Sequence, residues 1–363
     1  MKIVCYVHKL NDGGAERVMS VLANGLFHRG HDVTLVTDIS ADNQYPLDPG
    51  IRREILGDFS NASGSRNIRN AIKRGLRLRK ICKETRADII ISFIWRVNAR
   101  AILATRFLKT KNVFSVRNDP QKAYGSKKRK ALANLLYSWA AGGVFQTEEA
   151  QAWFAPGIQK KSRIILNPIA DAFYQVTPAA MQDKRIVSCG RLHEQKRLDV
   201  LIAAFDKICD EFPDYRLEIY GVGALQEDLQ KQINRLGRAE RICLMGRCND
   251  VPNTIKNASL FVLSSDYEGL PNALMEAMAL GLPVVSTDCG GGGARALIDH
   301  GTDGLIVPCG DADALANAIR QNLADPNAAK KFGERAAEKA KSFSTENVII
   351  QWESYITQLL DKK

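Results

Sequence analysis

The sequence predicts an α/β protein of two domains, each built on a parallel β-sheet with helices on both faces. Strand-like and helix-like stretches alternate along the whole chain, which is typical of parallel sheets. At 363 residues the chain is long for one hydrophobic core and about right for two. Its hydrophobic fraction of 45% and charged fraction of 25% are ordinary for a soluble globular protein.

Ten short apolar segments are predicted as strands, five on each side of a polar stretch that contains a proline. In the first half they are residues 2–7, 32–37, 87–93, 112–116 and 143–146. In the second half they are residues 185–188, 216–220, 242–245, 259–264 and 283–286. Residues 167–171 have the composition of a linker. We therefore expect domains over residues 1–166 and 171–344.

Two carboxylates, Glu268 and Glu276, flank the start of a predicted helix in the second half. The strand 259–264 precedes them, and Pro271 stands where proline is favoured, at the first helical position. Glu276 is the single charge in the apolar stretch 273–282, and a buried charge needs a partner. Sugar or ribose hydroxyls would supply one, while the helix N–H groups would receive a phosphate. The alternative is a core glutamate paired with a neighbouring Arg or Lys.

A second strand-to-helix junction carries two cations, Arg191 and Lys196, between the strand 185–188 and an amphipathic helix over 199–209. Two cations on one loop and two carboxylates on another suit a diphosphate joined to polyols. Taken singly, Arg191 and Lys196 are also compatible with solvated surface charges.

Together these motifs resemble the retaining nucleotide-sugar glycosyltransferases of family 4, whose architecture is the two-domain GT-B fold. The resemblance covers nearly the whole chain and rests on four segments, residues 13–16, 190–196, 268–276 and 301–308. It implies two Rossmann-like domains that face each other across a central cleft. The N-terminal one would bind the acceptor, the C-terminal one the donor, and the last helix, within residues 345–363, would pack back on the N-terminal domain.

The resemblance also implies roles for individual residues. Arg191 and Lys196 would bind the donor diphosphate, Glu276 the ribose hydroxyls and Glu268 the transferred sugar. Main-chain N–H groups of three residues would complete these contacts: Gly269, Leu270 and Asn272. Metal and cofactor are not expected, because the cations and helix N–H groups can neutralise the departing diphosphate.

One position departs from the family pattern. Many members carry a histidine at the end of the fourth predicted N-terminal strand, where this chain has Ser115-Val116-Arg117-Asn118. Arg117 or Asn118 would have to take its place beside the donor sugar.

Two glycine pairs follow predicted strands. Gly13 and Gly14 are interpreted as a lid over the donor diphosphate or as part of the acceptor cleft, and Gly221 with Gly223 as the rim of the nucleotide pocket. Both pairs are also compatible with tight turns that need glycine for backbone reasons alone.

The positive charge is confined to the first half. Residues 1–170 contain 29 Lys and Arg against 13 Asp and Glu, whereas the whole chain has a net charge of +11. In residues 66–81 an apolar stripe that includes Ile68, Ile72 and Leu76 alternates with basic residues. Such a helix can lie on an anionic membrane or pack its stripe on the domain, and both hold if the basic residues face lipid while the stripe faces the core. The membrane hypothesis assigns lipid contact to Arg69, Lys73, Arg77 and Lys80.

Several classes of protein are disfavoured. The basic stretches lack nucleic-acid motifs and interleaved aromatic residues, so no nucleic-acid partner is expected. The eight dispersed cysteines contain no CxxC pair, which favours a reducing cytoplasm, and no apolar run reaches the ~18 residues of a membrane span.

The sequence therefore predicts transfer of a hexose or N-acetylhexosamine, with retention, from a nucleotide-diphosphate sugar. A UDP-sugar is the favoured donor, and the acceptor is a glycan or a lipid-linked glycan of bacterial cell-surface polysaccharide assembly. The enzyme would be cytoplasmic or peripheral at the inner membrane face. The alternatives are a nucleotide-sugar epimerase, a sugar phosphorylase and, outside enzymes, a two-domain sugar-binding protein.

Overall fold

The computed structural model describes residues 1–11, 13–42, 44–57, 65–177 and 183–362. The chain divides into two compact units. The N-terminal unit comprises Met1–Pro168 with Thr345–Lys363, and the C-terminal unit comprises Ile169–Ser344.

The N-terminal unit contains a seven-stranded sheet. Its strands are β1 (Lys2–Val7), β2 (Asp32–Thr37), β3 (Arg52–Ile55), β4 (Ile89–Phe93), β5 (Lys111–Ser115), β6 (Gly142–Phe145) and β7 (Ser162–Ile164). Its helices up to the linker are α1 (Gly14–His28), α2 (Ser65–Glu84), α3 (Trp95–Thr105), α4 (Pro120–Tyr124), α5 (Lys127–Ser138), α6 (Glu148–Ala152) and α7 (Pro156–Gln159). The strand order is β3-β2-β1-β4-β5-β6-β7 and every pairing is parallel.

The C-terminal unit contains a six-stranded parallel sheet in the order β10-β9-β8-β11-β12-β13. Its strands are β8 (Asp183–Cys189), β9 (Arg216–Tyr220), β10 (Ile242–Gly246), β11 (Ala258–Leu263), β12 (Val284–Thr287) and β13 (Leu305–Val307). Its helices are α8 (Ala172–Gln175), α9 (Leu198–Asp206), α10 (Gln226–Arg235), α11 (Val251–Ile255), α12 (Asn272–Ala279), α13 (Gly293–Leu297), α14 (Ala312–Ala324) and α15 (Pro326–Ala340). The last helix of the chain, α16 (Thr345–Asp361), belongs to the N-terminal unit.

The sheet of the N-terminal unit is covered on both faces because successive strand residues point to opposite sides. Ile3 and Cys5 of β1 belong to one core cluster with side chains of α1 and α16. The largest buried side chain of this cluster is Trp352. Val4 and Tyr6 belong to a separate cluster on the other face, with side chains of α2 and α3. The helices α2 and α3 therefore lie on the face opposite α1 and α16.

The predicted fold class is confirmed, and each of the ten predicted strands overlaps an observed one. The prediction omitted β3, β7 and β13. These are edge strands of three or four residues, and β3 reads Arg-Arg-Glu-Ile, which has no apolar run. A polar, largely exposed strand such as β3 gives little hydrophobic pattern to detect, and β7 and β13 are only three residues long.

One local expectation was wrong, and the burial of α2 bears on the two alternatives given for its apolar stripe. Pro271 is the extended residue before α12, with ψ of 101°, instead of its first helical residue, and α12 ends at Ala279 because Gly281 takes a positive φ of 72°. On α2, the side chains of Leu78, Ile81 and Cys82 pack inward. Those of Ile72 and Leu76 are 57% and 62% exposed. The apolar side chains of Ile72 and Leu76 therefore do not pack on the domain. The side chain of Ile68 lies outside the described part of the chain.

Candidate functional site

The predicted donor residues gather at one edge of the C-terminal sheet. The strands β8 and β11 are neighbours in that sheet although α9, β9, α10, β10 and α11 separate them in the chain. In an open parallel sheet, loops that leave two such strands diverge, and the crevice between them at the carboxyl ends is where ligands bind. The loop after β8 carries Arg191 and Lys196, and the loop after β11 carries Glu268.

The loop after β8 is shaped by backbone contacts with the next strand. Gly190 N–H donates to the Tyr220 carbonyl oxygen at 2.9 Å, which continues the β8–β9 ladder past the strand end. A single 3₁₀ turn over Glu194–Lys196 follows, and Arg197 takes a left-handed φ of 45° before α9 begins. The Arg197 guanidinium donates to Asp266 at 3.2 Å, so the strained residue is held by the opposing loop.

The glycines after β9 are required by close packing against the same loop. A Cβ on Gly221, whose φ is 146°, would lie 1.8 Å from the Gly190 carbonyl oxygen. A Cβ on Gly223 would lie 2.3 Å from the Leu192 carbonyl oxygen. Each glycine therefore allows two backbone segments to approach beside the candidate site, and this steric role accounts for the pair without a ligand.

The loop after β11 is pinned to the loop after β12 in the same way. Glu268 N–H donates to the Gly290 carbonyl oxygen, and Gly290 N–H donates to the Asp266 carbonyl oxygen, both at 2.9 Å. A Cβ on Gly293 would lie 2.4 Å from the Gly269 carbonyl oxygen. The backbone around Glu268 is thus held from two directions before α12 starts.

The structure joins Lys196 and Glu268 in an ion pair. The Lys196 ammonium lies 2.6 Å from Glu268 Oε1, and the Ser265 hydroxyl donates to the same oxygen at 2.9 Å. The side chains of the pair are only 16% and 11% exposed. The flanking residues hold the two loops together, because Gln195 donates to the Tyr267 carbonyl and the Ser264 hydroxyl donates to the Lys196 carbonyl, each at 2.7 Å.

Glu276 is buried on α12, as its apolar surroundings predicted. It acts electrostatically on Cys189, the last residue of β8: burial raises the pKa of that thiol, and the negative charge of Glu276 raises it further, while Lys196 opposes the shift. Glu276 and Lys196 therefore share the environment of the β8 carboxyl end. The contacts that define the polar cluster between the two loops are those of Lys196, Glu268 and Ser265.

The remaining predicted donor residues border this cluster. Arg191 is exposed on its loop, Gly269 and Leu270 are buried, and Asn272 opens α12. Within the described ranges no three His, Cys, Asp or Glu side chains are grouped so that they could hold a metal ion.

In the N-terminal unit, Gly13 and Gly14 form the start of α1 just beyond β1. Gly13 is the residue before the helix, and its carbonyl accepts from Arg17 N–H at 3.0 Å. The Glu16 carboxylate folds over Gly13 so closely that a Cβ there would be 1.8 Å from its oxygen. A side chain at the first glycine would therefore displace the Glu16 carboxylate from this position.

Arg117 and Asn118 follow β5. The Arg117 guanidinium is buried, whereas Asn118 is exposed. The Arg117 guanidinium lies 4.0 Å from the centre of the Phe93 ring and donates to Asn167 Oδ1 at 2.7 Å. Burial lowers the pKa of Arg117 to about 9. Asn118 is exposed, and its side-chain oxygen accepts from Asp119 N–H.

A polar cluster at the carboxyl ends of β1 and β2 was not predicted from the sequence. Asp38 accepts from the Tyr6 hydroxyl at 2.6 Å and bonds His8 Nδ1 at 2.9 Å, and it pairs with Arg100 of α3. Asp38 and Tyr6 are buried, whereas the His8 side chain is about half exposed. These residues are scattered over 94 positions, so only the fold brings them together.

The known proteins most informative for this chain are glycosyltransferases. Residues 171–339 match the family model described as "Glycosyl transferases group 1", and residues 12–173 match the one described as "Glycosyltransferase Family 4". The two matches together span most of both units.

Two relatives come from Campylobacter jejuni. GalNAc-alpha-(1->4)-GalNAc-alpha-(1->3)-diNAcBac-PP-undecaprenol alpha-1,4-N-acetyl-D-galactosaminyltransferase is 28% identical over 364 residues, with 99% of each chain covered. N-acetylgalactosamine-N,N'-diacetylbacillosaminyl-diphospho-undecaprenol 4-alpha-N-acetylgalactosaminyltransferase is 27% identical, with 94% of this chain and 95% of the relative covered. Among solved structures, Anabaena Alr3699/HepE in complex with UDP and glucose has a TM-score of 0.84 at 20% identity, covering 99% and 100% of the two chains.

Proposed function

Because this chain belongs to glycosyltransferase family 4 and has the GT-B fold, we propose that it transfers a hexose or N-acetylhexosamine from a UDP-sugar to a lipid-linked glycan. The proposal includes retention of the anomeric configuration. It rests on one observation above all, the Lys196–Glu268 pair where the loops after β8 and β11 meet.

The chemistry of the pair suits a diphosphate leaving group next to a sugar. An ammonium has three donors, and Glu268 occupies one of them, which leaves two for phosphate oxygens. Among the described contacts, both hydrogen bonds to the Glu268 carboxylate fall on Oε1, so we assign Oε2 to hydroxyls of the donor sugar. Lys196 would then stabilise the charge that develops on the departing diphosphate, and Arg191 would add a second cation.

Glu276 is proposed to bind the ribose. A ribose offers two adjacent hydroxyl donors, and a carboxylate as buried as that of Glu276 is a strong acceptor for such donors. The choice of UDP is supported by the Anabaena neighbour, which was solved with UDP and glucose.

The leaving phosphate itself would accept the acceptor's proton, with attack on the same face of the sugar. We do not assign Glu268 as the nucleophile, because the Lys196 ammonium 2.6 Å from Oε1 stabilises the negative charge of the carboxylate and so lowers its nucleophilicity. Its proposed role is to bind and position the sugar. No metal ion or other cofactor is required in this scheme, since Lys196, Arg191 and the α12 N–H groups carry the neutralising charge.

A lipid-linked acceptor is proposed from two lines of support. The Campylobacter relatives are named for undecaprenyl-diphosphate substrates. The excess positive charge of residues 1–170 suits an anionic membrane surface, and no helix in the described ranges is long and apolar enough to cross a membrane. We propose a peripheral position at the cytoplasmic face.

The donor assignment is tested by incubating the protein with UDP-, GDP- and ADP-sugars and measuring thermal shift, donor hydrolysis and the anomeric configuration of the product. We expect stabilisation by UDP and UDP-sugars. Stabilisation by GDP or ADP alone would refute the choice of base, and release of an epimerised nucleotide sugar would refute transfer itself.

The proposed association with an anionic membrane is tested by co-sedimentation with anionic vesicles at physiological salt. Four exposed basic residues of α2 are changed to Gln together: Arg69, Lys73, Arg77 and Lys80. The matched control removes the same charge from exposed positions of the C-terminal unit: Lys231, Arg235, Lys330 and Lys331. Each basic residue near the surface contributes about 1 kcal/mol, so the α2 variant should stay in solution while the control sediments. Equal sedimentation of the two variants would refute the role of α2.

A further inference from the structure

Phe107 is presented to solvent directly after α3. It is 91% exposed and has a positive φ of 64°, a backbone conformation that residues other than glycine rarely adopt. The turn that holds it is well bonded, because Leu108 N–H donates to the Thr105 carbonyl at 2.9 Å and Arg79 of α2 donates to the Arg106 carbonyl at 2.7 Å. An exposed phenylalanine in a strained but firmly held turn calls for a functional reason.

Phe107 is part of a wider apolar surface, which we call the outer helical face. Of the twelve large hydrophobic side chains that are exposed in the described part of the chain, seven lie on α2, α3 or α5 or directly after the last residues of α3 and α5. They are Ile72, Leu76, Leu103, Phe107, Leu132, Leu135 and Trp139. The Arg106 guanidinium joins α3 to α5, since it lies 5.2 Å from the Phe107 ring centre and 4.5 Å from that of Trp139.

The spacing of these residues gives each helix an outward stripe. On α2, Ile72, Lys73, Leu76 and Lys80 lie three, four, seven and eleven residues after Arg69, so all five share one side of the helix. On α5, Lys128 leads to Leu132, Leu135 and Trp139 at the same intervals. Apolar side chains thus alternate with long basic ones whose charged ends can reach past them.

The charge of this face selects its partner. Residues 65–84, 95–111 and 120–139 contain eighteen Lys and Arg and one acidic residue, Glu84, which pairs with Lys80. A second copy of the chain would bring two such faces together and repel. A nucleic acid supplies phosphates but no medium for Ile and Leu side chains. An anionic bilayer supplies both phosphates and an apolar layer, and Trp favours its interface.

We propose that the outer helical face docks on an anionic bilayer with Phe107 and Trp139 inserted at the boundary between headgroups and acyl chains. This inference rests on the proposed function and adds to it that binding has a hydrophobic part, besides the charges of α2. Because burial of apolar side chains is not screened by salt, that part should survive conditions that suppress the electrostatic attraction.

The test is co-sedimentation of the full-length protein with vesicles of three parts phosphatidylcholine to one part phosphatidylglycerol, at about 0.1 M and about 0.5 M NaCl. Phe107→Ser is compared with Ile350→Ser, a matched control because Ile350 is 41% exposed but lies on α16, on the opposite side of the sheet. We expect Phe107→Ser to lower the partition coefficient about tenfold at both salt concentrations. The control should bind as the wild type does.

Trp139 supplies an independent readout, since brominated lipids quench tryptophans that enter the acyl region. Quenching should appear in the wild type and disappear in Trp139→Phe. Equal binding by Phe107→Ser and the wild type, or an absence of quenching in the wild type, would overturn the proposal. A concentration-dependent dimer that Phe107→Ser abolishes, without vesicle binding, would instead assign the face to a second copy.

Failure of this proposal is distinguishable from failure of the donor assignment. UDP affinity is measured by calorimetry without vesicles and depends on the C-terminal unit, so Phe107→Ser should leave it unchanged. If the wild-type protein binds vesicles through Phe107 but does not bind UDP, the proposed membrane contact is supported and the proposed transferase activity is refuted.

Discussion

Replacement of Lys196 by Met is expected to separate catalysis from stability in this protein. The substitution keeps an apolar stem of similar length and removes the ammonium that lies 2.6 Å from Glu268 Oε1. Removal of one preorganised charge-stabilising donor typically lowers kcat about 10²- to 10³-fold, equivalent to about 2.7–4 kcal/mol of transition-state stabilisation. We expect a loss of that size in sugar transfer, with a smaller change in KM for the donor.

The same substitution should also reduce the free energy of unfolding. Both side chains of the pair are less than a fifth exposed, and loss of one partner of a buried pair costs about 3–5 kcal/mol. The Ser265 hydroxyl continues to bond Glu268, so we expect the lower end of that range. The double variant Lys196→Met/Glu268→Gln, which leaves no unpaired charge, should recover most of the stability and none of the activity.

A matched control is available in the same sheet. Arg185 pairs with Glu218 at 3.0 Å, and their side chains are 12% and 5% exposed, but Arg185 lies near the amino end of β8. Arg185→Met should therefore lose stability and keep kcat. Rates are measured well below the melting temperature of each variant. Wild-type kcat in Lys196→Met, or an equal loss of kcat in Arg185→Met, would refute the assignment of Lys196 to the leaving group.

Three further outcomes are expected. Glu276→Gln should weaken UDP binding about tenfold or more in calorimetry, because a carboxylate accepts ribose hydroxyls more strongly than an amide does; unchanged affinity would contradict the ribose assignment. Chelator should leave sugar transfer intact, and activity that returns only with added Mg²⁺ or Mn²⁺ would show that the proposed charge neutralisation is incomplete. Burial acts to raise the pKa of Asp38, but the hydrogen bond to His8 and the charge of Arg100 outweigh it and lower that pKa. The resulting stabilisation is present above the ordinary aspartate pKa and is lost as the pH falls below about 4, so denaturant unfolding of the wild type should lose more stability there than that of Asp38→Asn; parallel pH profiles would argue against it.

The amino-acid sequence by itself predicted the elements whose signal is local. The strands β1, β2 and β9 were predicted with their observed bounds, because each contains branched or aromatic side chains that the core buries. The burial of Glu276 followed from the apolar helix around it. The edge strand β3 was missed because its sequence, Arg-Arg-Glu-Ile, is polar and largely exposed and carries no apolar pattern.

The tertiary structure alone decided which distant residues meet. Lys196 and Glu268 are 72 positions apart, and they pair because β8 and β11 are neighbours in the sheet. The environment of Arg117 and the Asp38 cluster depend in the same way on segments far apart in the chain. The outward direction of Ile72 and Leu76 was equally undetermined, since periodicity shows that residues share a helix side but not which side the domain covers. Side-chain spacing is a local property, whereas contact and burial depend on how separate elements pack.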